Sequence, residues 1–413
     1  MGVKVAKFGG SSLASAAQIA KAAAIVRADP DRRYVVASAP GKRTPSDTKV
    51  TDLLYQTYEQ RGGDYKPLLS QIEQRYAEIV RDLGVEVDLG PEFAEIESRL
   101  RSCLRQDDKG RRQDDNGRRQ DDNGRRQDDN GKREDDGPDY FASRGEYLNS
   151  LIIAAYLGWP FVDAADVIRF SDSGEFLAEE TDQLLADRLS KLDHAVVPGF
   201  YGATSSGEIH TFPRGGSDVT GALVARAVDA DVYENWTDVS GVLAADPRVV
   251  DSPRPIMRVS YSALHELTRL GASVLHENAV KPVHEKGIPI NIRNTDRPED
   301  EGTWIEDRLE DTPAIIGVAG KKGSVIQVES VTEFTPAGSE PEVQFVAKVG
   351  VVGTGIPHET LIRRVGDALA QAGIEAYEIS PVGNGLDSVC VVADVDEEVY
   401  EEAMRTLYSA LAS

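Results

Sequence analysis

The alternation of short apolar strands with helices is the feature that most limits the folds open to this chain of 413 residues. Residues 3–8 predict a strand that ends in the turn Gly9-Gly10-Ser11-Ser12, and a helix is predicted to follow from about residue 14 to residue 28. Further strands with helices between them are predicted at 34–39, 195–197 and 231–236. This order predicts an α/β fold with a mostly parallel sheet sandwiched by helices, in which ligands bind at the carboxyl ends of the strands.

Lys7 stands directly before the first glycine turn. The turn does not have the spacing of the Walker or dinucleotide-binding fingerprints. A lysine at the end of a strand usually faces solvent. The position beside Gly9 and Gly10 instead favours a contact between the ammonium group and a phosphate that the turn presents.

A second glycine turn, Arg214-Gly215-Gly216-Ser217-Asp218, stands near the middle of the chain. Adjacent glycines let the backbone turn sharply and let a bound group approach main-chain N–H donors. Ser217, Asp218 or Thr220 is predicted to cap the helix that follows, and the N-terminus of such a helix favours an anion. Arg214 adds donors suited to a carboxylate or a phosphate. Taken alone, the stretch is equally compatible with a turn that only caps a helix.

The charge of the chain argues against nucleic acid as a partner. Its formal net charge is −24, whereas non-specific binding of nucleic acid needs a basic face. The basic residues are 14 lysines and 32 arginines. An acid excess with little lysine suggests a halophilic protein, because concentrated salt screens the repulsion between its own charges.

Neither a membrane partner nor secretion is expected. No apolar run approaches the ~20 residues that a membrane-spanning helix needs. The N-terminus leads directly into the first strand and lacks the apolar region of a signal peptide. Cys103 and Cys390 lie far apart without metal-ligand spacing, and we expect buried thiols. These observations predict a cytoplasmic protein without a metal site built from its own side chains.

Two parts of the chain depart from the α/β pattern. Residues 105–137 contain near-copies of a seven-residue, charge-rich repeat without an apolar residue for a coiled-coil seam, and we expect a disordered, solvated insertion. After Thr312-Pro313, short strands at 315–319 and 325–328 and a helix from about residue 358 predict a small α+β domain. The predicted domains are therefore 1–312 and 313–413.

The two glycine turns and a third motif, Trp236-Thr237-Asp238-Val239, are far more specific together than any one of them. In the order Lys7-Phe8-Gly9-Gly10-Ser11-Ser12, Arg214–Asp218 and Trp236–Val239, they resemble the aspartate kinases, within the wider amino acid kinase family. The resemblance extends over nearly all of residues 1–310. It includes Val50-Thr51-Asp52-Leu53-Leu54, Ser143-Arg144-Gly145-Glu146 and Asp246-Pro247-Arg248. The residues after Pro313 resemble an ACT domain, a ferredoxin-like module that senses amino acids.

The resemblance implies an ATP-dependent phosphotransferase. It implies transfer of the γ-phosphoryl group of ATP to the β-carboxylate of L-aspartate, the first step of lysine, threonine and methionine biosynthesis. Such a reaction brings two anions together, so it needs cations and N–H groups between them more than a strong base. Mg²⁺ is expected to be held chiefly by ATP oxygens and water.

The resemblance also implies roles for individual residues. Lys7 would bridge the transferring phosphoryl group, and Asp218 would orient Lys7. The amides that would assist Lys7 are those of Gly9, Gly10 and Ser11. Arg214 would pair with a carboxylate of aspartate and Glu146 with its ammonium group, and the rest of the amino-acid pocket would be Thr51, Ser217 and Phe200. The residues that would line the nucleotide site are Thr237, Asp238, Leu243 and Arg248.

Each assignment has a simpler alternative when it is taken alone. Glu146 near a helix start would complement the helix dipole. Asp238 would be a turn residue, and Arg248 would pair with an acid at the surface. The chain also departs from the family, since many aspartate kinases have lysine at the position of Ser273 and tyrosine at the position of Leu243.

The C-terminal region is short for the family, because only about one ACT module's length follows Pro313. We therefore expect that the module pairs between subunits and makes a homodimer. We also expect weak or absent feedback inhibition by lysine or threonine.

Two other functions are compatible with the sequence. One is a different amino acid kinase, acting on glutamate, acetylglutamate or a nucleotide, although Glu146 as the partner of a free ammonium group favours aspartate. The other is a non-catalytic regulator that binds an amino acid through the ACT-like domain. Lys7, Asp218 and Arg214 argue against a regulator, because a sensor has no need of groups for phosphoryl transfer.

Overall fold

The chain folds into two compact units. The structure, a computed structural model, describes residues 2–111, 137–213, 215–272, 275, 277–307, 315–328, 342–383 and 388–413. The first unit consists of Met1–Asp238, Asn278–Ile288 and Asn294–Pro298, and the second of Val239–Glu277, Pro289–Arg293 and Glu299–Ser413.

The strands are short, except for two long strands near the C-terminus. They are β1 (Lys4–Phe8), β2 (Arg32–Ala37), β3 (Ala195–Pro198), β4 (Tyr201–Ala203), β5 (Ile209–Thr211), β6 (Val232–Thr237), β7 (Val242–Leu243), β8 (Pro255–Ile256), β9 (Arg258–Ser260), β10 (Ile290–Asn294), β11 (Thr303–Glu306), β12 (Ile315–Val328), β13 (Glu342–Gly353), β14 (Ala376–Val382) and β15 (Val389–Asp396).

Helices are interspersed with these strands. They are α1 (Ala16–Arg27), α2 (Val50–Glu59), α3 (Lys66–Leu83), α4 (Gly90–Arg111), α5 (Pro138–Leu157), α6 (Ala164–Val167), α7 (Ala178–Leu189), α8 (Gly216–Ala227), α9 (Tyr261–Arg269), α10 (Glu277–His284), α11 (His358–Gln371) and α12 (Tyr400–Leu407). Among the described residues, none of these helices combines the length and the apolar character that crossing a membrane requires.

Parallel strands in the order β3-β2-β1-β6 form the main sheet of the first unit. Because these strands are parallel, their carboxyl ends lie at the same edge of the sheet. Most of their residues are buried, as expected for a parallel sheet that is covered on both faces. In the register of β1 and β6, Lys7 lies beside Asn235 and Phe8 beside Trp236.

The two faces of this sheet are covered by different helices. Ala6 and Phe8 belong to a buried cluster with residues of α1 and α5, and Phe8 stacks on Trp236 with ring centroids 6.0 Å apart. On the other face, α8 packs against β1, β2 and β6. Successive side chains of a strand point to opposite faces, so Lys7 points away from this cluster and toward α8.

An antiparallel sheet in the order β12-β13-β15-β14 lies in the second unit, and α11 and α12 pack on it. The same unit contains β11, which pairs antiparallel with β10 and parallel with β9. Arg254 ties the segment before β8 and β9 to the C-terminal sheet. Its guanidinium donates to the carbonyl of Ile315 at 2.8 Å and to that of Ala412 at 2.6 Å.

The predicted fold class is confirmed, since a mostly parallel sheet flanked by helices is followed by a small antiparallel sheet with helices. Two details were wrong. The strands predicted at 315–319 and 325–328 form one strand, β12, with an irregularity between Lys321 and Ser324, and β13 was not predicted. The described chain divides between Asp238 and Val239, whereas the boundary predicted at 312/313 lies outside the described residues and stays a prediction.

The predicted insertion begins within a helix. Helix α4 continues to Arg111, so residues 105–111 are helical although the insertion was expected to start at residue 105. Residues 112–136 lie outside the described residues. The described residues resume at Gly137, which precedes α5.

Candidate active site

The carboxyl ends of the parallel strands in the first unit surround a cavity of about 660 Å³. The turn after β1, the loop after β2, the middle of α5 and the end of β6 all contribute to its walls. The residues predicted for the site that line this cavity are Gly9, Gly10, Ser11, Thr51, Glu146, Thr237 and Asp238.

Lys7 and Asp218 form an ion pair beside this cavity. Lys7 is 7% exposed, and its ammonium group lies 3.6 Å from the position that a side chain on Gly9 would occupy. Asn235 donates from Nδ2 to Oδ1 of Asp218 at 2.8 Å, so the carboxylate that receives Lys7 is also held by a neutral donor. The structure therefore brings together the two residues predicted as catalytic, and their catalytic roles stay predictions.

The strand register explains why these three residues meet. Lys7 of β1 and Asn235 of β6 are neighbours and point to the same face of the sheet. Helix α8 covers that face and presents Asp218 in its first turn. Tyr233, two residues before Asn235, donates from its hydroxyl to the backbone carbonyl of Asp218 at 3.1 Å. Sequence reasoning missed Asn235, although a lone amide in a buried strand next to Trp236 was a usable signal.

Glu146 is a buried carboxyl group on the cavity wall, with 5% exposure. Burial raises its pKa to about 8, although the backbone amides of Ala39 and Glu146 and the charge of Lys7 act in the opposite direction. Its Oε2 has no hydrogen-bond partner among the described residues. Glu146 lies well inside α5, which begins at Pro138, so the alternative that it complements the dipole at a helix start is wrong.

The turn after β1 packs its backbone against the loop after β2. The Gly9 amide donates to the carbonyl of Trp236 at 3.0 Å, so this amide is used within the fold rather than being available to a phosphate. Gly10 precedes a short 3₁₀ helix at Ser11–Leu13. The amide of Gly41 donates to the carbonyl of Gly10 at 2.7 Å, and a Cβ at Gly41 would lie 2.5 Å from the Gly10 carbonyl carbon. Only glycine fits at position 41.

The loop at residues 40–49 contributes cavity residues that sequence reasoning did not identify, namely Lys42, Arg43, Thr44 and Lys49. It is held by Arg75 of α3, which is 3% exposed and donates to the carbonyls of Gly41 and Thr48. Arg75 also lies 3.3 Å from Asp47. The signal for Arg75 was an arginine at helical spacing from Ile72 and Ile79, which are both buried.

The start of α8 differs from its prediction. The residue before the helix is Gly215, with φ of 76°, and no side chain caps the helix, so the caps predicted at Ser217, Asp218 or Thr220 were wrong. The hydroxyl of Thr220 donates to the Gly216 carbonyl and accepts from the Phe200 amide at 3.0 Å. Glycine at 215 fits because its left-handed φ disfavours other residues.

Phe200 and Ser217 lie together at the start of α8. A Cβ at Gly216 would lie 2.6 Å from the ring of Phe200, and a Cβ at Gly199 would lie 2.6 Å from Cβ of Ser217. Ser217 directly precedes Asp218 in the sequence, and Phe200 packs on Gly216 in the same turn of α8. Arg214, the residue predicted for a substrate carboxylate, lies outside the described residues, as does Ser273.

Leu243 and Arg248, the other residues predicted for the nucleotide site, belong to the second unit. Leu243 lies in β7 and is exposed. Arg248 is exposed, and its guanidinium contacts the carboxylate of Asp246 at 2.6 Å. This pair matches the alternative in which Arg248 meets a surface acid, and the nucleotide role of both residues stays a prediction.

The side chains that could bind a metal ion do not cluster in the described part of the site. Within the described part of the chain, no group of three or more His, Cys, Asp or Glu side chains could hold a metal ion. The cavity wall carries Asp238 at the end of β6, with the hydroxyl of Thr237 donating to its Oδ1 at 3.2 Å.

Comparison with known proteins gives a family for this arrangement. The model of the amino acid kinase family matches residues 2–294. Aspartokinase 3 from Bacillus subtilis is 36% identical over 334 residues, which cover 78% of this chain and 67% of the relative. Aspartokinase 1, chloroplastic, from Arabidopsis thaliana is 28% identical over 363 residues, which cover 84% of this chain and 58% of the relative. The matched part is thus about two thirds or less of these relatives' length.

Solved structures give the same result. The aspartate kinase of Clostridium acetobutylicum, described as an allosteric enzyme, superposes with a TM-score of 0.80 and 33% identity over 100% of both chains. Aspartokinase III of E. coli in complex with aspartate and ADP gives a TM-score of 0.72 and 21% identity, also over 100% of both chains. At that identity the second structure supports the fold alone.

Proposed function

The chain belongs to the amino acid kinase family and, within it, to the aspartokinases, and from this premise we propose that it phosphorylates the β-carboxylate of L-aspartate with ATP. The product is 4-phospho-L-aspartate, and the reaction class is phosphoryl transfer to a carboxyl group. The pathway implied by the family is the synthesis of lysine, threonine and methionine.

The observation that carries this proposal is a pair of buried ionisable groups, Lys7 and Glu146, at one cavity. Lys7 is held by Asp218 next to the glycine turn, and Glu146 lies on the cavity wall with one oxygen unpaired. A phosphate needs a fixed cation, whereas an amino acid needs an anion for its ammonium group. Lys7 supplies the cation, and Glu146 supplies a carboxyl group that can ionise when an ammonium group binds.

Lys7 would lie between the two reacting anions. At contact distance, two unit charges in a wet site repel each other by about 1–4 kcal/mol, and a fixed ammonium group between them offsets that cost. Asp218 and Asn235 hold the ammonium in place, so little reorganisation is needed during transfer. The carboxylate acceptor is already ionised, so none of these residues has to act as a strong base.

The substrate would lie against Glu146 and Thr51. The ammonium group of aspartate would pair with Oε2 of Glu146, which ionises when the cation arrives. Thr51 lies in the first turn of α2 and lines the same cavity. Ser217 and Phe200, which lie together at the start of α8, would complete the amino-acid pocket. Arg214 remains our proposed partner for a carboxylate of the substrate.

The nucleotide would extend from the glycine turn toward the end of β6, where Thr237 and Asp238 line the cavity. We assign Leu243 and Arg248 to the same ligand on the basis of the family resemblance. Mg²⁺ would be held chiefly by ATP oxygens and water, which agrees with its reluctance to lose its waters. The cavity wall fits this arrangement, because it carries the single carboxylate of Asp238 beside the proposed nucleotide, which would contact the ion through water.

A hydroxylamine assay tests the proposed reaction. Purified protein is incubated with Mg-ATP, hydroxylamine and one acceptor at a time: aspartate, glutamate or acetylglutamate. We expect an acyl-hydroxamate with aspartate and little with the other two. No hydroxamate from aspartate would refute the proposal, and a product from glutamate or acetylglutamate alone would favour the other amino acid kinases.

The remaining proposals concern the whole protein. We place it in the cytoplasm as a homodimer formed through an ACT-like domain at residues 313–413, and we propose that its activity increases in concentrated salt. Feedback inhibition by lysine or threonine was expected to be weak, because the region after Pro313 is short. The Clostridium acetobutylicum relative matches over its whole length and is described as allosteric, so the short region alone does not decide this point. Adding lysine or threonine to the hydroxylamine assay tests it, and strong inhibition by either amino acid would refute the expectation.

A further inference from the structure

The loop at residues 40–49 places three cationic side chains along the cavity, and none of them has been given a role above. They are Lys42, Arg43 and Lys49. All three are exposed toward solvent, so their charges are accessible to a ligand in the cavity.

The backbone that carries these side chains is fixed on both sides. Arg75 is buried and donates to the carbonyls of Gly41 and Thr48, so it joins the two ends of the loop. Asp47 accepts from the backbone amide and the side chain of Arg43, each at 3.0 Å. These hydrogen bonds fix the backbone of the loop in the cavity wall.

The three cations differ in how far their charge is already compensated. Arg43 contacts Asp47 at 3.0 Å and Glu78 at 3.4 Å, and its ion pair with Asp47 raises its pKa. The side-chain ammonium groups of Lys42 and Lys49 form no hydrogen bond or ion pair with a described residue. These two lysines are thus the uncompensated positive charges of the loop.

The two lysines lie on different sides of the cavity. Lys42 follows Gly41, whose amide donates to the carbonyl of Gly10 in the turn after β1. Lys49 directly precedes α2 and is two residues from Thr51, on the side that we assign to the amino acid. Lys42 therefore lies next to the glycine turn, which is the side of the cavity that we assign to phosphate.

The charge balance of the cavity indicates what Lys42 can bind. The positive charge of Lys7 is already shared with Asp218, and Asp238 adds a carboxylate to the wall. A nucleoside triphosphate carries its highest density of negative charge on the terminal phosphate. Uncompensated ammonium groups bind such a phosphate through charge-assisted hydrogen bonds.

We propose that Lys42 contacts the terminal phosphate of ATP and is a second lysine, beside Lys7, that holds the transferred group. This inference rests on the proposed function. It predicts that Lys42 distinguishes a triphosphate from a diphosphate, because ADP lacks the group that the lysine contacts.

Calorimetric titration of the full chain tests this inference with two ligands, the non-hydrolysable imido analogue of Mg-ATP and Mg-ADP. Lys42→Gln should bind the triphosphate analogue about tenfold to a hundredfold more weakly than wild type, the range for losing a charged hydrogen bond, and should bind ADP within about twofold. Lys42→Arg should keep most of the preference for the triphosphate. Lys191→Gln removes the same charge from an exposed position before β3, at the opposite ends of the strands, and should change neither affinity.

An equal loss for both nucleotides in Lys42→Gln, or no loss for either, would overturn the inference. This experiment needs no acceptor, so its failure is distinguishable from failure of the proposed function. A wild type that makes aspartyl hydroxamate, together with a Lys42→Gln variant that keeps its triphosphate preference, would refute the role of Lys42 alone. A wild type that binds neither nucleotide would overturn both proposals.

Discussion

Lys7 and Glu146 are both buried at the same cavity, yet their charges are treated in opposite ways. Lys7 has a carboxylate partner in Asp218, and that carboxylate is braced by Asn235. Glu146 has an unpaired oxygen, and burial raises its pKa to about 8. One group carries a charge that is balanced in the free protein. The other avoids its charge by keeping a proton.

The difference follows from what each group has to meet. A cation that must stabilise a transferring phosphoryl group has to be charged and aligned before the ligand arrives. A carboxyl group that receives an ammonium can remain neutral until its partner is present, because an unpaired buried charge is costly. The five predictions below test this contrast, beginning with the largest expected effect and ending with the smallest.

Lys7→Ala should have the largest effect on turnover. Removing a preorganised cation from a phosphoryl-transfer site should lower kcat by about a hundredfold to a thousandfold. Lys4→Ala is a matched control in the same strand, since Lys4 pairs with Asp29 at the other end of β1 and is partly exposed. It should leave kcat unchanged. Turnover of Lys7→Ala close to that of wild type would show that Lys7 is not the phosphate lysine.

Glu146→Gln should raise the KM for aspartate by about tenfold to a hundredfold, because it removes a charged partner of the substrate ammonium. The KM for ATP should change little. Glu234→Gln is the comparison, because Glu234 is equally buried but pairs with Arg32 at 2.7 Å. That variant should lower the free energy of unfolding by about 3 kcal/mol, the cost of breaking a buried pair, without a specific effect on aspartate.

The pH dependence of the free energy of unfolding should differ between Glu146→Gln and wild type. The pKa of Glu146 is about 8 in the folded protein, whereas an unperturbed glutamate, as in the unfolded chain, has a pKa of 4.5. Between pH 4.5 and pH 8, the folded state therefore binds more protons than the unfolded state. The stabilising contribution of the neutral carboxyl is present below pH 4.5 and is lost as the pH rises to about 8. Denaturant unfolding at pH 5 and pH 8.5 should show Glu146→Gln gaining up to several kcal/mol relative to wild type at the higher pH.

Aspartate binding should then release a proton near pH 7, because the ammonium group favours ionised Glu146. Calorimetry in two buffers with different ionisation enthalpies would detect the release in wild type and its absence in Glu146→Gln. Equal apparent enthalpies for wild type in both buffers would contradict the raised pKa.

Asn235→Ala should have the smallest effect. Loss of one hydrogen bond to Asp218 is worth about 1 kcal/mol, which corresponds to a kcat about fivefold lower. Both KM values should remain near wild type, since Asn235 contacts Asp218 rather than a ligand. A larger change in KM than in kcat would contradict a role in positioning Asp218.

Much of the fold could be predicted from the sequence because its signals are local. The strand, turn and helix at the N-terminus and the strand before Thr237 occupy nearly the predicted residues. The long strand β13 was missed because it flanks segments whose composition resembles a loop. Helix α4 passed the predicted start of the insertion, since charged residues without an apolar stripe can still continue a helix for two turns.

The candidate site was predictable where a motif contains its residues and not where contacts join distant segments. Lys7, Asp218 and Glu146 stand in motifs. Asn235 and Arg75 act through strand register and through a loop that returns to the turn, and neither relation is visible in a local pattern. The start of α8 was also mispredicted because of contacts with another segment. The Thr220 hydroxyl forms hydrogen bonds with the Phe200 amide and the Gly216 carbonyl instead of capping the helix, and Gly215 precedes the helix in the left-handed conformation.

Strand β1 places the requirements of stability and of chemistry on adjacent residues. Ala6 and Phe8 fill the core on one face, while Lys7 reaches Asp218 on the other. Inserting or deleting one residue in this strand would exchange the two sets, burying the lysine in the core and exposing a phenyl ring to the substrates. Strand β1 can therefore change by substitution of single side chains, whereas a change in its length would disrupt the core and the site together.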